Sequence, residues 1–369
     1  MTTLQFHSIL PDALRDVYSP SDLVTFSISV GMGRALLNGS LKLEGALGVS
    51  LGGNRLSIVD DVRLDPELGA HALLAEVNTI SDELGVIEQT GASLSRAVKQ
   101  LRELSRRPSD LFSGSDVAAL RSPDELLTAA LLRGTLAPGQ QTDVDAPNFS
   151  FSPVVALNRA SGPVAFSKTG RIRVTVRLAT VQDALFGGSA DATASYGIIN
   201  LRLTCQSVPD SFAQAKVTMR GFATADSTVQ TRSGNVSTRL PAVCSAITVS
   251  MIEAARRSAY TYNTAVSERP TGITQLVLQL NDTVNGRVSA PLHDEAEMLR
   301  LALAATGGGK HNAITPQALS KLRKFHIGYP LGTALDLSAV PFNIQITADA
   351  ISNQTPWVVT IIGHSIFAI

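Results

Sequence analysis

Apolar and polar residues alternate along much of this chain, the period of a strand with one buried face. Leu23 to Val30 reads LVTFSISV, and Ile172, Val174, Val176 and Leu178 alternate with Arg171, Arg173, Thr175 and Arg177. Glycines at 31, 33, 39, 45, 48, 52 and 53 cut the following segment into pieces, as turns between short strands require. Two stretches change period. In Gly272 to Ala305, Ile273 to Leu280 alternates, Asn285-Gly286 supplies a left-handed turn, and from His293 the apolar spacing becomes helical. The pattern predicts strand, hairpin, strand, helix. Leu74 to Leu104 repeats it, with a turn at Gly85 and then Leu94, Ala97, Val98, Leu101 and Leu104 at helical spacing.

The repetition goes further. Ser122-Pro123-Asp124-Glu125 carries a capping hydroxyl, a proline for the first helical position and an acid that reaches back to the cap, predicting a helix that stops at Gly134. Thr315-Pro316 opens its counterpart, and each half closes with strand, loop and strand, the second of these with Trp357 at the start of a core strand. Five elements in the same order predict two similar units in tandem, which suits 369 residues better than one core. The boundary falls near Pro209: an arm over 1–21, a first unit over 22–209 with a helical insert at about 93–136, and a second over 210–369 with an insert at about 293–326. Residues 254–264 read as a short helix or loop. In the arm, Pro11 opens a short helix that puts Leu10, Leu14 and Val17 on one face. With Tyr18 they form a candidate inter-subunit contact.

Composition agrees with many short strands: 44% of residues are hydrophobic, 17% charged, and glycines number 28. The formal net charge of zero supplies no field toward nucleic acid or anionic membrane and no repulsion against self-association. Cys205 and Cys244 sit in apolar strand-like contexts without ligand spacing, so they read as buried free thiols in a reducing compartment. MTTLQFHSILPDALRDV lacks a basic region followed by an apolar run, so no signal peptide is expected. No window approaches the ~20 apolar residues that span a bilayer.

Candidate chemistry is sparse. Gly307-Gly308-Gly309-Lys310 is followed by His311 and preceded by a helix, which makes it a helix-terminal loop and not a phosphate loop. Gly31-Met32-Gly33 lacks the third glycine of a dinucleotide site. His293, Asp294, Glu295 and Glu297 stand where a helix N-terminus favours acids, a bland reading that outweighs metal ligation. Histidines 7, 71, 293, 311, 326 and 364 stand singly. Sequence does not speak to a triad assembled from distant loops. Arg96, Lys99, Arg102, Arg106 and Arg107, beside Glu103, are predicted to form a solvated helix face or one paired with acids of a neighbouring subunit. No catalytic, cofactor-binding or metal-binding residue is assigned.

The duplicated order, with Glu268-Arg269-Pro270-Thr271-Gly272-Ile273 leading into the second hairpin and PVAFSKTGRIRVTVRLA closing the first half, resembles double jelly-roll major capsid proteins of small DNA viruses of the virophage and polinton-like type. The resemblance implies an all-β fold with helical insertions, two tandem eight-stranded jelly-roll barrels side by side. It implies a structural protein, not an enzyme, without cofactors, whose homotrimers of pseudo-hexagonal outline tile an icosahedral shell. The implied partners are other copies of itself, neighbouring capsomers, and penton and minor capsid proteins, with no sequence-specific nucleic acid. The implied location is the virion, after synthesis in the host cytoplasm. Three rivals remain: a minor capsid protein; a carbohydrate-binding, lectin-like jelly roll, which would expose more aromatics than the 5% here; and a cupin-like enzyme, which would need clustered histidines.

Overall fold

The computed structural model describes residues 4–105, 114–122, 125–133, 147–229, 233–270, 273–280, 287–291, 295–306, 324–339, 342–348 and 355–369. In the first half the principal strands are β1 (Gln5–Ile9), β2 (Leu23–Ile28), β3 (Lys42–Leu51), β4 (Leu74–Ser81), β5 (Gly85–Gln89), β6 (Asn148–Phe151), β7 (Ile172–Leu178) and β8 (Ala194–Pro209). In the second half they are β9 (Thr218–Val229), β10 (Ser233–Thr238), β11 (Val243–Glu253), β12 (Ile273–Leu280), β13 (Arg287–Pro291), β14 (Ile327–Asp336), β15 (Phe342–Ala348) and β16 (Trp357–Ala368).

Pairing among the described residues is antiparallel, and the principal strands of each half lie in two sheets, with a separate two-stranded piece, Arg63–Leu64 with Leu185–Phe186, in the first half. The first half runs β1-β8-β3-β6 in the larger sheet, which short additional strands extend, and β2-β7-β4-β5 in the smaller. The second half runs β9-β16-β11-β14 and β10-β15-β12-β13. Adding eight to each label of the first order gives the second, so the duplication extends to every principal strand.

The alternation read from sequence places the cores. In β7, Ile172, Val174, Val176 and Leu178 are buried, each removing apolar surface worth roughly 1.5–3 kcal/mol. Arg173 and Arg177 face outward, to Asp82 at 3.5 Å and Glu76 at 3.1 Å, while Arg171 meets Asp82 at 3.2 Å. Such exposed pairs add little stability. One apolar cluster fills the first sandwich and a second fills the other. The first also takes in Phe222 of β9 and Ile362 of β16, so the two halves share apolar surface.

The helices fall in equivalent places. α1 (Leu94–Ser105) follows β5, with α2 (Gly114–Ala118) and α3 (Glu125–Leu132) before β6; α4 (Glu295–Thr306) follows β13. The helix predicted from Ser122 is α3, whose start adjoins the undescribed residues 123–124. The counterpart at Thr315-Pro316, the Gly307–Lys310 loop, the Asn285-Gly286 turn, His293, His311, Arg106 and Arg107 lie outside the described residues.

Two expectations are corrected. Residues 5–9, assigned to an arm, form the first strand of the first sandwich, paired from Gln5↔Ser207 to Ile9↔Leu203. No helix follows at Pro11. The Asp12 amide donates to Thr25 O at 2.8 Å, and its carboxylate accepts from the Ser27 amide and hydroxyl. Nothing local marks this strand, since Phe6 and Ile9 of QFHSI fall on opposite faces of it, and its partner strand lies far along the chain. LVTFSISV is therefore the second strand of its half and corresponds to β10.

Cys205 and Cys244 are free and buried, and burial pushes each thiol up to about 12. Neither is expected to react with a thiol reagent at about pH 8 in the folded protein, whereas both react in denaturant. Rapid labelling of either without unfolding would contradict this.

Candidate functional site

α1 lies between the two sandwiches and makes the joint. Gly91, at φ 73°, turns the chain into it; a Cβ there would stand 2.5 Å from Thr224 O. Thr90 O accepts from the Thr224 amide at 2.7 Å and its hydroxyl at 2.8 Å. Ser93 donates to Asp226 at 2.6 Å, and Thr360 donates to the other oxygen of that carboxylate at 2.6 Å. Arg96 donates to Thr360 Oγ1 at 2.5 Å and to Thr264 O at 2.9 Å. Gln100 accepts from Thr248 Oγ1 at 2.6 Å and donates to Val249 O at 3.2 Å.

Ion pairs complete the seam. Lys99 bonds Asp65, whose carboxylate also accepts from Asn263 Nδ2 at 2.5 Å and from the Glu67 and Leu68 amides at 2.9 Å. Burial opposes both charges, but the partners outweigh it: the Asp65 carboxyl lies below its usual value and the Lys99 ammonium above. Glu103 stands 2.6 Å from Lys324 Nζ and 2.8 Å from His326 Nε2. Burial raises its pKa, yet His326, Lys99 and Lys324 hold it at about 2. The basic face predicted to be solvated, or to meet a neighbouring subunit, is thus largely buried and paired within the chain: Arg96, Lys99 and Glu103 are at most 6% exposed, and Arg102 donates to Glu67 O and Leu68 O.

Glu88 of β5 differs. Its oxygens accept from the Ala156 amide at 2.8 Å and, across the seam, from the Phe222 amide at 3.2 Å. A Cβ on Gly221 would overlap the carboxylate. Burial pushes Glu88 up to about 7, against the pull of both amides and of Arg159, whose guanidinium lies 4.9 Å from the centre of the Phe222 ring.

Together these contacts cover β9, β16 and β11 on the outer face of the β9-β16-β11-β14 sheet, where Thr224, Thr248, Ser250, Thr360 and His364 are all buried, and α4 lies on β14, its Ala302 and Ala305 against Gly328. The same face of the first sandwich is open among the described residues. Phe6, Lys42, Asn148, Asn200 and Arg202 are exposed there, with Arg202 2.9 Å from Glu44. Beside it runs a groove of about 970 Å³ that Leu10, Leu14, Val17, Tyr18, Phe149 and Asn200 help to line. The predicted contact residues therefore meet at one groove. Leu10 and Leu14 are exposed and Val17 half-buried, while Tyr18 is buried in its own chain, bridged to Ile198 and donating to Ala13 O at 3.0 Å. Sequence reasoning missed the sheet face, although Arg202, Thr204 and Gln206 alternate with Leu201, Leu203 and Cys205.

No helix among the described residues is long and apolar enough to cross a membrane, and no group of three or more His, Cys, Asp or Glu among them could hold a metal ion. No family model and no curated protein matches the sequence. Solved structures do match. PBCV-1 VP54, in a crystal structure fitted into a cryo-electron-microscopy reconstruction of the virophage Sputnik, is similar with a TM-score of 0.59 at 10% identity, covering 100% of this chain and 95% of that one. The Faustovirus major capsid protein gives 0.59 at 12% identity, covering 100% and 90%. A chain of the Sputnik virophage cryo-electron-microscopy structure gives 0.55 at 10% identity, covering 100% and 86%. The chain is a double jelly roll. Each half is one roll, and α1 is the element of the first roll that seats on the second.

Proposed function

We propose that this chain is a structural protein of a virion, a major capsid protein whose homotrimers tile an icosahedral shell. The observation that carries the reading is the pair of rolls of identical strand order packed side by side over the whole chain, as in the similar capsid structures. The two units are residues 22–209, joined by the strand at Gln5–Ile9, and residues 210–369. Three such chains place six rolls in a ring, giving a pseudo-hexagonal tile; penton and minor capsid proteins are its further partners. The zero net charge favours self-association, and obligate interfaces of that kind bury roughly 2,000–5,000 Å². Host-cytoplasmic synthesis accords with the buried free thiols.

Native mass spectrometry of the purified chain at micromolar concentration is expected to give a trimer, and negative-stain images pseudo-hexagonal particles. A monomer by both methods would refute the proposal.

A further inference from the structure

The duplication carries an unused contact. Within the chain, α1 and β5 of the first roll cover β9, β16 and β11 on the outer face of the second roll's larger sheet. The first roll's equivalent face is open among the described residues, and the equivalent helix of the second roll, α4, seats on its own roll and on α1 without reaching that face.

α4 carries the same pattern as α1. Both are twelve residues long and follow the fifth strand of their roll. Their apolar positions coincide at the fourth, fifth, eighth and eleventh residues: Ala97 with Met298, Val98 with Leu299, Leu101 with Ala302, Leu104 with Ala305. These place each helix on its own roll and, through Leu104, Leu299 and Ala302, against the other helix. The third and sixth residues of α1 are Arg96 and Lys99, inserted into the seam. In α4 they are Glu297 and Arg300, which pair with each other at 2.6 Å with side chains 35% and 65% exposed. The open face presents both signs to meet them, Lys42 and Arg202 around Glu44, with Phe6 and Leu10 as apolar rim.

We infer that α4 of one copy seats on the outer face of the β1-β8-β3-β6 sheet of a second copy, Glu297 and Arg300 facing Lys42, Glu44 and Arg202. This rests on the trimer reading and names its interface. The contact is head to tail, so it repeats from copy to copy until the ring closes. It repeats between chains the relation that the two rolls hold within one.

The test is native mass spectrometry with dilution of the wild type, Thr204→Arg on the open sheet, Arg300→Glu on α4, and Ser237→Arg on the exposed side of β10 as control, with circular dichroism to confirm folding. Phe6→Arg replaces Thr204→Arg should the latter fail to fold. Thr204→Arg and Arg300→Glu are expected to raise the concentration at which the trimer dissociates by about tenfold or more, with Ser237→Arg unchanged. A wild-type trimer with folded Thr204→Arg (or Phe6→Arg) and Arg300→Glu variants equally trimeric would overturn this interface and leave the trimer standing. A monomeric wild type would overturn both.

Discussion

Replacing Lys99 with methionine is expected to lower the unfolding free energy by about 3–5 kcal/mol, the usual cost of removing one partner of a buried ion pair. The reason lies in what remains. Asp65 is 2% exposed, and without the ammonium its charge is answered by Asn263, two amides and the more distant Arg102 guanidinium. Methionine fills most of the lysine volume, so the loss reports charge and not a cavity. The double variant Lys99→Met, Asp65→Asn is expected to recover a large part of it, since asparagine still accepts from the Glu67 and Leu68 amides without a buried charge. Thermal and urea unfolding of the three proteins measure this. A single variant within 1 kcal/mol of wild type, on the order of an exposed pair, would mean that the seam is wet.

How far this joint could be read in the sequence depends on which face of α1 is considered. The apolar face was legible because Leu94, Ala97, Val98, Leu101 and Leu104 recur at the helical period and are buried or nearly so. The polar face was not. Arg96, Lys99 and Glu103 carry the composition of a solvated surface, and what buries them comes from Asp65, Thr264, Lys324 and Thr360, up to 264 residues away. Local pattern reports whether a helix has an apolar side; it is silent on what meets the other side.

The strands show the same division. Hairpins β4-β5 and β12-β13, and the alternation of β7, were legible because their period and turns are local. The first strand was not, because its strand partner among the described residues, β8, lies far along the chain. The covered face was not legible either: outward positions of the second roll's larger sheet include Arg220 and Asp226 beside Thr224, Thr248, Ser250, Thr360 and His364, and those of the first include Lys42, Glu44 and Arg202, so both faces carry charge.

Varying pH is expected to separate two titrations that act on opposite sides of Phe222. Its amide donates to Glu88, and its ring meets that of His364 at 5.5 Å. Burial, with Arg159 nearby, depresses His364 to about 3, so the stability it contributes is complete above the unfolded value of 6.5 and is lost as pH falls toward 3. Burial raises Glu88 from 4.5 to about 7, so its contribution is complete below 4.5 and is lost as pH rises through 7. Between pH 4.5 and 6.5 each acts with up to about one proton, or up to about 1.4 kcal/mol per pH unit, in opposite directions. Relative to wild type, Glu88→Gln should gain about 2 kcal/mol across that interval as pH rises, His364→Gln should lose about 2 kcal/mol, and the double variant should run parallel to wild type. His71, also depressed to about 3 by burial, is common to all four proteins and drops out of the differences. Urea midpoints at half-unit steps of pH decide the matter; a Glu88→Gln curve parallel to wild type would show that this carboxyl does not titrate in the seam. The opposition gives the joint a physical character that neither group has alone: the amide of Phe222 gains a better-tolerated acceptor over the range in which its ring neighbour is increasingly reluctant to stay neutral.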